Sequence, residues 1–257
     1  THLTTGKPMN TTPIIPALDL IDGQIVRLYQ GDYSRQTDYG ADPIARAQQY
    51  AAEGAERLHL VDLSGARDPA ARQTALITRL IAACPLPVQI GGGIRSSADI
   101  DALLAAGAAR IVIGSLAVKA PATVQNWLAT YGGDRLVLAL DVHPGADGHY
   151  YVAHNAWQEG GQQTLSNLIT AYQPHGLRHI LCTDISRDGT LQGANTALYR
   201  ELHAAYPELN IQASGGIGNL DHIRALDGSG VTGIITGRAL LDGRITLKEA
   251  LTCWPNA

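Results

Sequence analysis

An internal repeat restricts the possible folds of this chain more than any other feature of its sequence. Residues 88–95 (VQIGGGIR) return 123 positions later as residues 211–218 (IQASGGIG). Each copy leads to a second glycine motif, IVIGS at 111–115 and IITGR at 234–238, again 123 positions apart. The repeat predicts a chain of two similar halves. Glycine turns after apolar strands further predict one anion site in each half.

Composition narrows the class of protein. The chain has 257 residues, 45% of them hydrophobic, which is enough for one large α/β barrel or two smaller domains. A net charge of −4 without a basic run disfavours a nucleic-acid partner, and no apolar stretch is long enough for a membrane span. The three cysteines share no metal-binding or redox spacing, which favours a cytoplasmic protein. Residues 1–12 are polar and unpatterned, which predicts a disordered extension or one foreign to the natural chain.

Short apolar runs alternate with segments of helical periodicity, which is typical of parallel strands covered by helices. The predicted strands span residues 14–18, 57–61, 88–90, 110–113, 136–140, 179–182, 211–213 and 233–236. Eight such units predict a single α/β domain, a (β/α)8 TIM barrel over residues 13–257 with half-barrels at about 13–134 and 135–257. A doubly wound open sheet is the alternative, but two four-unit halves close naturally into a ring of eight.

Local signals place several helices and loops. Ser96 with Asp99 predicts a capped helix start, and Asn195 predicts the cap of another helix that runs to Tyr206. A shorter helix is predicted at 221–226. The segments after the first and fifth strands, residues 20–42 and 142–164, are too long for simple connections. We expect them to form lids over the catalytic face.

Two groups of residues are predicted to bind phosphates, because backbone N–H groups surround an anion only where no Cβ blocks its approach. The first glycine site is Gly92, Gly93, Gly114 and Ser115, and the second glycine site is Ser214, Gly215, Gly216, Gly237 and Arg238. Arg238 adds a fixed positive charge to the second site. Tight strand–helix turns explain any single glycine equally well, but the repetition of both pairs in register favours phosphate sites.

Two aspartates end strands that lie opposite each other in an eight-stranded barrel. Asp19 follows the first predicted strand and Asp141 the fifth, in the motifs PALD and LALD that lie 122 positions apart. Carboxyl groups on either side of a ligand can serve as general acid and general base. The alternative is an aspartate that caps a helix. We expect such a structural or ligand-orienting role for Asp62 and Asp184.

A glycine-containing loop after the sixth strand carries a third carboxylate. Asp188 lies in the motif SRDGT, where the neighbouring glycine lets the loop swing over a substrate. Gly189 and Thr190 of the same motif are candidates to contact a phosphate.

Other polar and aromatic residues carry weaker signals. Trp157 lies in the long fifth loop, where it can stack on a flat heterocycle or cover the barrel mouth. Arg27 is a candidate anion ligand or a solvated side chain, and Arg95 is the better anion candidate. The histidines have no metal-ligand spacing, so no metal site is predicted. His59 and His179 lie within strands and are expected to be satisfied core residues.

Several motifs occur together in an order that is specific. They are IPALDLIDG at 15–23, VRLYQGDY at 26–33, QIGGGIR at 89–95, TDISRDGT at 183–190 and SGGI at 214–217. In combination they resemble the ProFAR isomerase family of histidine biosynthesis, phosphoribosylformimino-5-aminoimidazole carboxamide ribotide isomerase. The resemblance covers about residues 13–255. It implies a two-fold repeated (β/α)8 barrel, in agreement with the internal repeat.

The resemblance also implies a reaction, an Amadori rearrangement of an aminoaldose to an aminoketose with no metal or redox cofactor. The substrate is a small molecule with two phosphates, which matches the two glycine sites. Asp19 matches the general base of the family, and Asp141 and Asp188 both match residues described as the acid. The choice between these two acids stays open at this point. Trp157 matches a tryptophan that stacks on the substrate. We also expect the protein to be a monomer.

Three alternatives stay open beside the isomerase. The cyclase subunit of imidazole glycerol phosphate synthase shares the repeat, both strand-end aspartates and both phosphate sites, but Ala17 and VRLYQG at 26–31 favour the isomerase. A bifunctional isomerase that also accepts phosphoribosylanthranilate uses the same catalytic residues. A catalytically silent barrel that only binds bisphosphorylated metabolites is disfavoured. It would gain nothing from three aspartates near an anionic ligand.

Overall fold

The computed structural model of the chain describes residues 14–154 and 159–254. Its strands are β1 (Ile14–Ile21), β2 (Gln24–Tyr29), β3 (Asp32–Asp38), β4 (Leu58–Asp62), β5 (Val88–Gly91), β6 (Arg110–Ile113), β7 (Leu136–Pro144), β8 (Tyr150–His154), β9 (Glu159–Thr164), β10 (His179–Asp184), β11 (Asn210–Ser214) and β12 (Gly233–Thr236). Its α-helices are α1 (Pro43–Ala52), α2 (Leu63–Arg67), α3 (Thr74–Ala83), α4 (Ser97–Ala105), α5 (Leu116–Lys119), α6 (Pro121–Tyr131), α7 (Leu165–Tyr172), α8 (Thr196–Ala205), α9 (Leu220–Arg224), α10 (Arg238–Leu241) and α11 (Leu247–Cys253). The predicted extension at 1–12 and Trp157 lie outside the described residues.

Eight parallel strands close into a barrel. They are β1, β4, β5, β6, β7, β10, β11 and β12, each paired with the next in that order. The ring closes where β12 pairs with β1, with Ile234 opposite Ile14 and Thr236 opposite Pro16. A closed ring with helices between successive strands confirms the predicted (β/α)8 barrel and excludes the open sheet.

The segments after the first and fifth barrel strands contain antiparallel strands, where the sequence predicts only long loops. In the first, β2 pairs with β1, with Val26 opposite Asp19, and then with β3. In the second, β8 pairs with β7, with Val152 opposite Val142, and then with β9. Because β1 and β7 continue past the barrel into these antiparallel pairs, both strands are longer than predicted.

Side-chain caps set the ends of the predicted helices. Ser96 and Asp99 form a complete capping box at the start of α4. Asn195 accepts from the Leu198 N–H and begins α8, as predicted. The helix expected at 221–226 is observed as α9, which begins one residue earlier and ends two residues earlier. Its start is fixed by the Asn219 side chain, which accepts from the His222 N–H.

Apolar side chains fill two separate layers of the barrel. The larger cluster lies between the strands and the surrounding helices. A smaller cluster fills the barrel interior with Ile15, Ala17, Val112, Val137, Leu181 and Ile235. Alternate residues of each barrel strand therefore face the helices and the interior. The interior cluster forms the floor beneath the polar residues at the carboxyl ends of the strands.

Candidate active site

A cavity of about 740 Å³ lies at the carboxyl ends of the barrel strands, which is where TIM barrels carry their active sites. All three predicted catalytic carboxylates, Asp19, Asp141 and Asp188, line it. Asp19 stands on β1 and Asp141 on β7, the first and fifth strands of the ring, so they enter the cavity from opposite walls. The cavity therefore brings together residues that the sequence places up to 169 positions apart.

Arg27 joins two of these carboxylates. Its Nη1 lies 2.9 Å from Asp19 Oδ2, and its Nη2 lies 2.8 Å from Asp188 Oδ1. The antiparallel pairing of β2 with β1 sets Val26 beside Asp19 and so places Arg27 next to the carboxylate. Of the two alternatives for Arg27, the solvated side chain does not fit the structure, since the guanidinium is held between two buried acids. Its role as an anion ligand stays a prediction.

Burial and charge act in opposite directions on Asp19. Desolvation raises the pKa of its carboxyl above the usual 3.8, and the nearby Asp188 raises it further. The positive charge and hydrogen bond of Arg27 lower the pKa, but the effect of burial is the largest. The two carboxylates in turn raise the pKa of Arg27, which keeps the guanidinium charged. Asp19 is thus a carboxylate of increased basicity, as a general base requires.

The paired glycines at the start of each glycine site are required by the fold itself. Gly92 and Gly93 have φ angles of +103° and +68°, and Gly215 and Gly216 have +87° and +82°. A Cβ on Gly93 would also collide with the Gly65 carbonyl, and one on Gly216 with the Gly193 carbonyl. Side chains other than glycine are strained in this left-handed region. These pairs therefore fit the structural explanation as well as the phosphate one.

The remaining glycine of each site, Gly114 in the first and Gly237 in the second, is not required by the backbone conformation or by close packing. A Cβ on Gly114 would meet no described atom within 4 Å, and its φ is not positive. A Cβ on Gly237 would make only ordinary contacts, the nearest to Ala17 Cβ at 3.6 Å. Gly114 lines the large cavity, and Gly237 lines a smaller one beside it. What glycine provides at these two positions is cavity space that a side chain would occupy.

The second glycine site forms a small cavity of about 30 Å³. Its lining includes Ser214, Gly215, Gly216, Gly237, Arg238 and Gly189. Arg238 Nη1 donates to the Gly189 carbonyl at 2.6 Å, and its Nε donates to Asp242 at 3.2 Å. The Thr190 hydroxyl donates to the Arg187 carbonyl at 2.6 Å, and its predicted contact with a phosphate stays a prediction. Arg238 is thereby fixed beside the glycine turn.

Arg95 lines the large cavity but uses its guanidinium on the protein backbone. Nη1 donates to the carbonyl of Gly65 at 3.0 Å, and Nη2 donates to that of Ala66 at 2.9 Å. Arg72 contacts the same turn, since it donates to the Gly93 carbonyl and pairs with Asp99 at 3.4 Å. Both arginines therefore stabilise the first glycine site.

Two strand-end aspartates have the structural role expected of them. Asp62 accepts from the Gly65 N–H at 2.9 Å and from Gln73 Nε2 at 2.8 Å. Asp184 accepts from the Ser186 hydroxyl at 2.6 Å and from Asn195 Nδ2 at 2.8 Å. Each aspartate ties its loop to the helix that follows, and neither lines the large cavity.

The structure adds cavity residues that the sequence did not indicate. His59, expected in the core, lines the cavity, with Nδ1 3.0 Å from Gln89 Nε2. Burial lowers the pKa of His59 to about 4, so its ring is neutral at physiological pH. Thr183 and Lys119 also line the cavity. His179 has the expected burial, but its Nε2 has no hydrogen-bond partner among the described residues.

In the part of the chain that the structure describes, residues 14–154 and 159–254, no three His, Cys, Asp or Glu side chains are grouped as metal ligands would be. None of its helices has the length and apolar character needed to cross a bilayer.

Comparison with known proteins agrees with this geometry. Residues 13–246 match the family described as histidine biosynthesis protein. A protein of Proteus mirabilis (strain HI4320) is 59% identical over 244 residues, which cover 95% of this chain and all of that protein. It is named 1-(5-phosphoribosyl)-5-((5-phosphoribosylamino)methylideneamino)imidazole-4-carboxamide isomerase. Proteins of the same name from Serratia proteamaculans (strain 568) and Cronobacter sakazakii (strain ATCC BAA-894) are 58% and 60% identical, each covering 95% of this chain and 99% of the relative.

Proposed function

This chain belongs to the histidine biosynthesis protein family, and we propose that it performs the isomerisation in its relatives' name by acid–base catalysis with aspartates. It is an isomerase, and the substrate is the bisphosphorylated aminoaldose ProFAR. The names of the relatives favour this activity over the cyclase alternative.

The observation that carries this proposal is the arrangement of the large cavity. The fold imposes glycine at neither position 114 nor position 237, yet both residues line a cavity where glycine leaves the space of a side chain open to a ligand. Each belongs to one of the two glycine sites, and Asp19 and Asp141 stand on opposite walls of the cavity. A substrate with a phosphate at each end would bind to both sites with its reacting sugar beside the carboxylates.

The reaction then combines the opening of the sugar ring with two proton transfers by aspartates and a final tautomerisation. An aspartic acid protonates the furanose ring oxygen, the C1′–O bond breaks, and the nitrogen lone pair forms a Schiff base. Asp19 removes the C2′ proton, and the electrons of that C–H bond form the enolamine. Tautomerisation of the enolamine gives the aminoketose. The raised pKa of Asp19 supports its role as the base, because a more basic carboxylate removes a carbon-bound proton more readily.

The proton donor is one of two residues, Asp141 or Asp188. Asp188 is ion-paired with Arg27, whose Nη2 lies 2.8 Å from Asp188 Oδ1. Both Nη groups of Arg27 bind carboxylates, so Asp188 is the candidate acid that shares Arg27 with the proposed base Asp19.

Turnover of ProFAR by the purified chain tests the proposal. Conversion to the aminoketose supports it, and tight binding without turnover would indicate a silent barrel instead. Asp141→Asn and Asp188→Asn separate the two acids. The variant of the true donor is expected to lose the alkaline limb of the pH–rate profile, since that limb reports the acid.

We also propose that the protein acts as a monomer in the cytoplasm. Asp19, Asp141 and both glycine sites come from one chain, so the cavity needs no residue of a second copy. Cys84, Cys182 and Cys253 are free thiols, which fits a reducing compartment. Size-exclusion chromatography with light scattering would test the oligomeric state.

A further inference from the structure

The first glycine site lacks the arginine that completes the second. In the second half, Arg238 follows Gly237 directly and begins α10. Its counterpart in the repeat is Ser115, which follows Gly114 and carries no charge. A phosphate at the first site would therefore contact backbone N–H groups without the cation that the second site provides.

The cavity holds three side chains that carry a positive charge, Arg27, Arg95 and Lys119. Arg27 is bound by two carboxylates, and Arg95 donates to the carbonyls of Gly65 and Ala66. Among the residues that the structure describes, the Lys119 ammonium has no hydrogen-bond or ion-pair partner. Lys119 is therefore the cavity cation whose charge is available to a ligand.

The position of Lys119 relates it directly to the first glycine site. It ends α5, four residues after Ser115, so both side chains lie on one face of that turn. The repeat counterpart of Lys119 is Asp242, which accepts from Arg238 Nε at 3.2 Å. The two halves thus use the same pair of positions with different charges, Ser115 with Lys119 in one and Arg238 with Asp242 in the other. The positive charge of the first half, on Lys119, therefore lies one helical turn later than that of the second half, on Arg238.

We propose that Lys119 is the cation that binds the substrate phosphate held at the first glycine site. A lysine ammonium on a flexible stem binds phosphate as a point charge and can follow it into the cavity. The assignment rests on the proposed function, because it takes the bisphosphorylated substrate as the ligand. Lys119 contributes binding energy in this role and takes no part in the proton transfers.

Steady-state kinetics with ProFAR provide the first test. Lys119→Ala is expected to raise KM about tenfold, with kcat within about twofold, because a charged contact is lost far from the reacting carbon. Lys119→Arg restores most of the affinity, and the salt dependence of KM becomes weaker in Lys119→Ala. Lys248, exposed on α11, supplies the matched control Lys248→Ala, which leaves KM and kcat unchanged. An unchanged KM in Lys119→Ala, or a loss confined to kcat, overturns the proposal.

A second test needs no turnover. Lysine acylation is followed by peptide mass spectrometry while inorganic phosphate is added, with potassium chloride at equal ionic strength as the control. Phosphate is expected to slow the acylation of Lys119 and to leave that of Lys248 unchanged; equal rates at Lys119 overturn the proposal. A chain that protects Lys119 but does not turn over ProFAR contradicts the proposed function alone. A chain that turns over ProFAR without protection contradicts only the role of Lys119.

Discussion

Gln89 and Gln212 form a reciprocal pair of hydrogen bonds inside the barrel. Gln89 Nε2 donates to Gln212 Oε1 at 2.6 Å, and Gln212 Nε2 donates to Gln89 Oε1 at 3.0 Å. The two residues are counterparts in the internal repeat, 123 positions apart, and both are buried. A residue that contacts its own counterpart reciprocally lies on the axis that relates the two copies. This pair, formed by β5 and β11 on opposite sides of the ring, therefore lies in the barrel interior on the axis between the two halves.

The first prediction concerns the stability that this pair provides. Gln89→Leu leaves the buried Gln212 amide without this partner, and Gln212→Leu leaves the Gln89 carbonyl oxygen without it, although Gln89 Nε2 keeps its contact with His59. Each single change is expected to lower the free energy of unfolding by about 1–3 kcal/mol. The double variant should be destabilised by less than the sum of the single changes, because it leaves neither amide stranded. Urea unfolding of the four proteins measures the coupling. Strictly additive losses would show that the two amides do not depend on each other.

The repeat made the barrel predictable, but not its additions. Strands such as β12 were found because they are continuous apolar runs, and Gly233–Thr236 is buried throughout. β3 was missed because its sequence, DYSRQTD, is almost wholly exposed and has no apolar alternation. It is held by pairing with β2 and not by a hydrophobic face of its own. Tertiary pairing of this kind leaves little trace in a single sequence.

The sequence likewise indicated the residues of the candidate site that the repeat contains, but not the contacts between them. Asp19, Asp141 and the glycines were found because the repeat marks them twice. The ion pair of Arg27 with Asp188 joins residues 161 positions apart, and no local pattern indicates it. Lys119 was missed for a different reason. Its counterpart Asp242 has the opposite charge, so a search for repeated features passes over it.

The second prediction tests the proposed base. Asp19→Asn is expected to lower kcat for ProFAR by at least about 100-fold, because an amide cannot accept the C2′ proton. The Kd of ProFAR, measured by calorimetry, should change little, since the two glycine sites are intact. Asp227, exposed in the turn after α9, provides the matched control Asp227→Asn, which should retain full activity. Near-normal turnover of Asp19→Asn would refute the assignment.

The third prediction is a direction of pH dependence. Asp19 is active as a base only when deprotonated, so kcat/KM falls as the pH decreases through its pKa. Because burial raises this pKa above 3.8, the acid limb of the profile is expected above pH 3.8. Arg27 lowers the same pKa by its charge and hydrogen bond. Arg27→Gln should therefore move the acid limb to higher pH.

The control for this shift is Arg79→Gln, since Arg79 is exposed on α3 away from the cavity. Its pH profile should match that of the wild type. A limb that stays in place or moves to lower pH in Arg27→Gln would contradict the electrostatic coupling between Arg27 and Asp19.

The fourth prediction separates the glycines that the fold requires from those that the ligand requires. Gly93→Ala is expected to lower the free energy of unfolding by about 1–3 kcal/mol, because its φ of +68° strains a side chain. A Cβ there also collides with the Gly65 carbonyl. Gly114→Ala should unfold at the wild-type denaturant concentration, since its Cβ meets no described atom within 4 Å. Its KM for ProFAR should nevertheless rise, because the methyl group blocks the approach of the phosphate to the backbone N–H. Denaturation curves and kinetics of both variants test whether the fold requires Gly93 and the ligand requires Gly114. A Gly114→Ala protein with wild-type KM would remove the main support for a phosphate at the first glycine site.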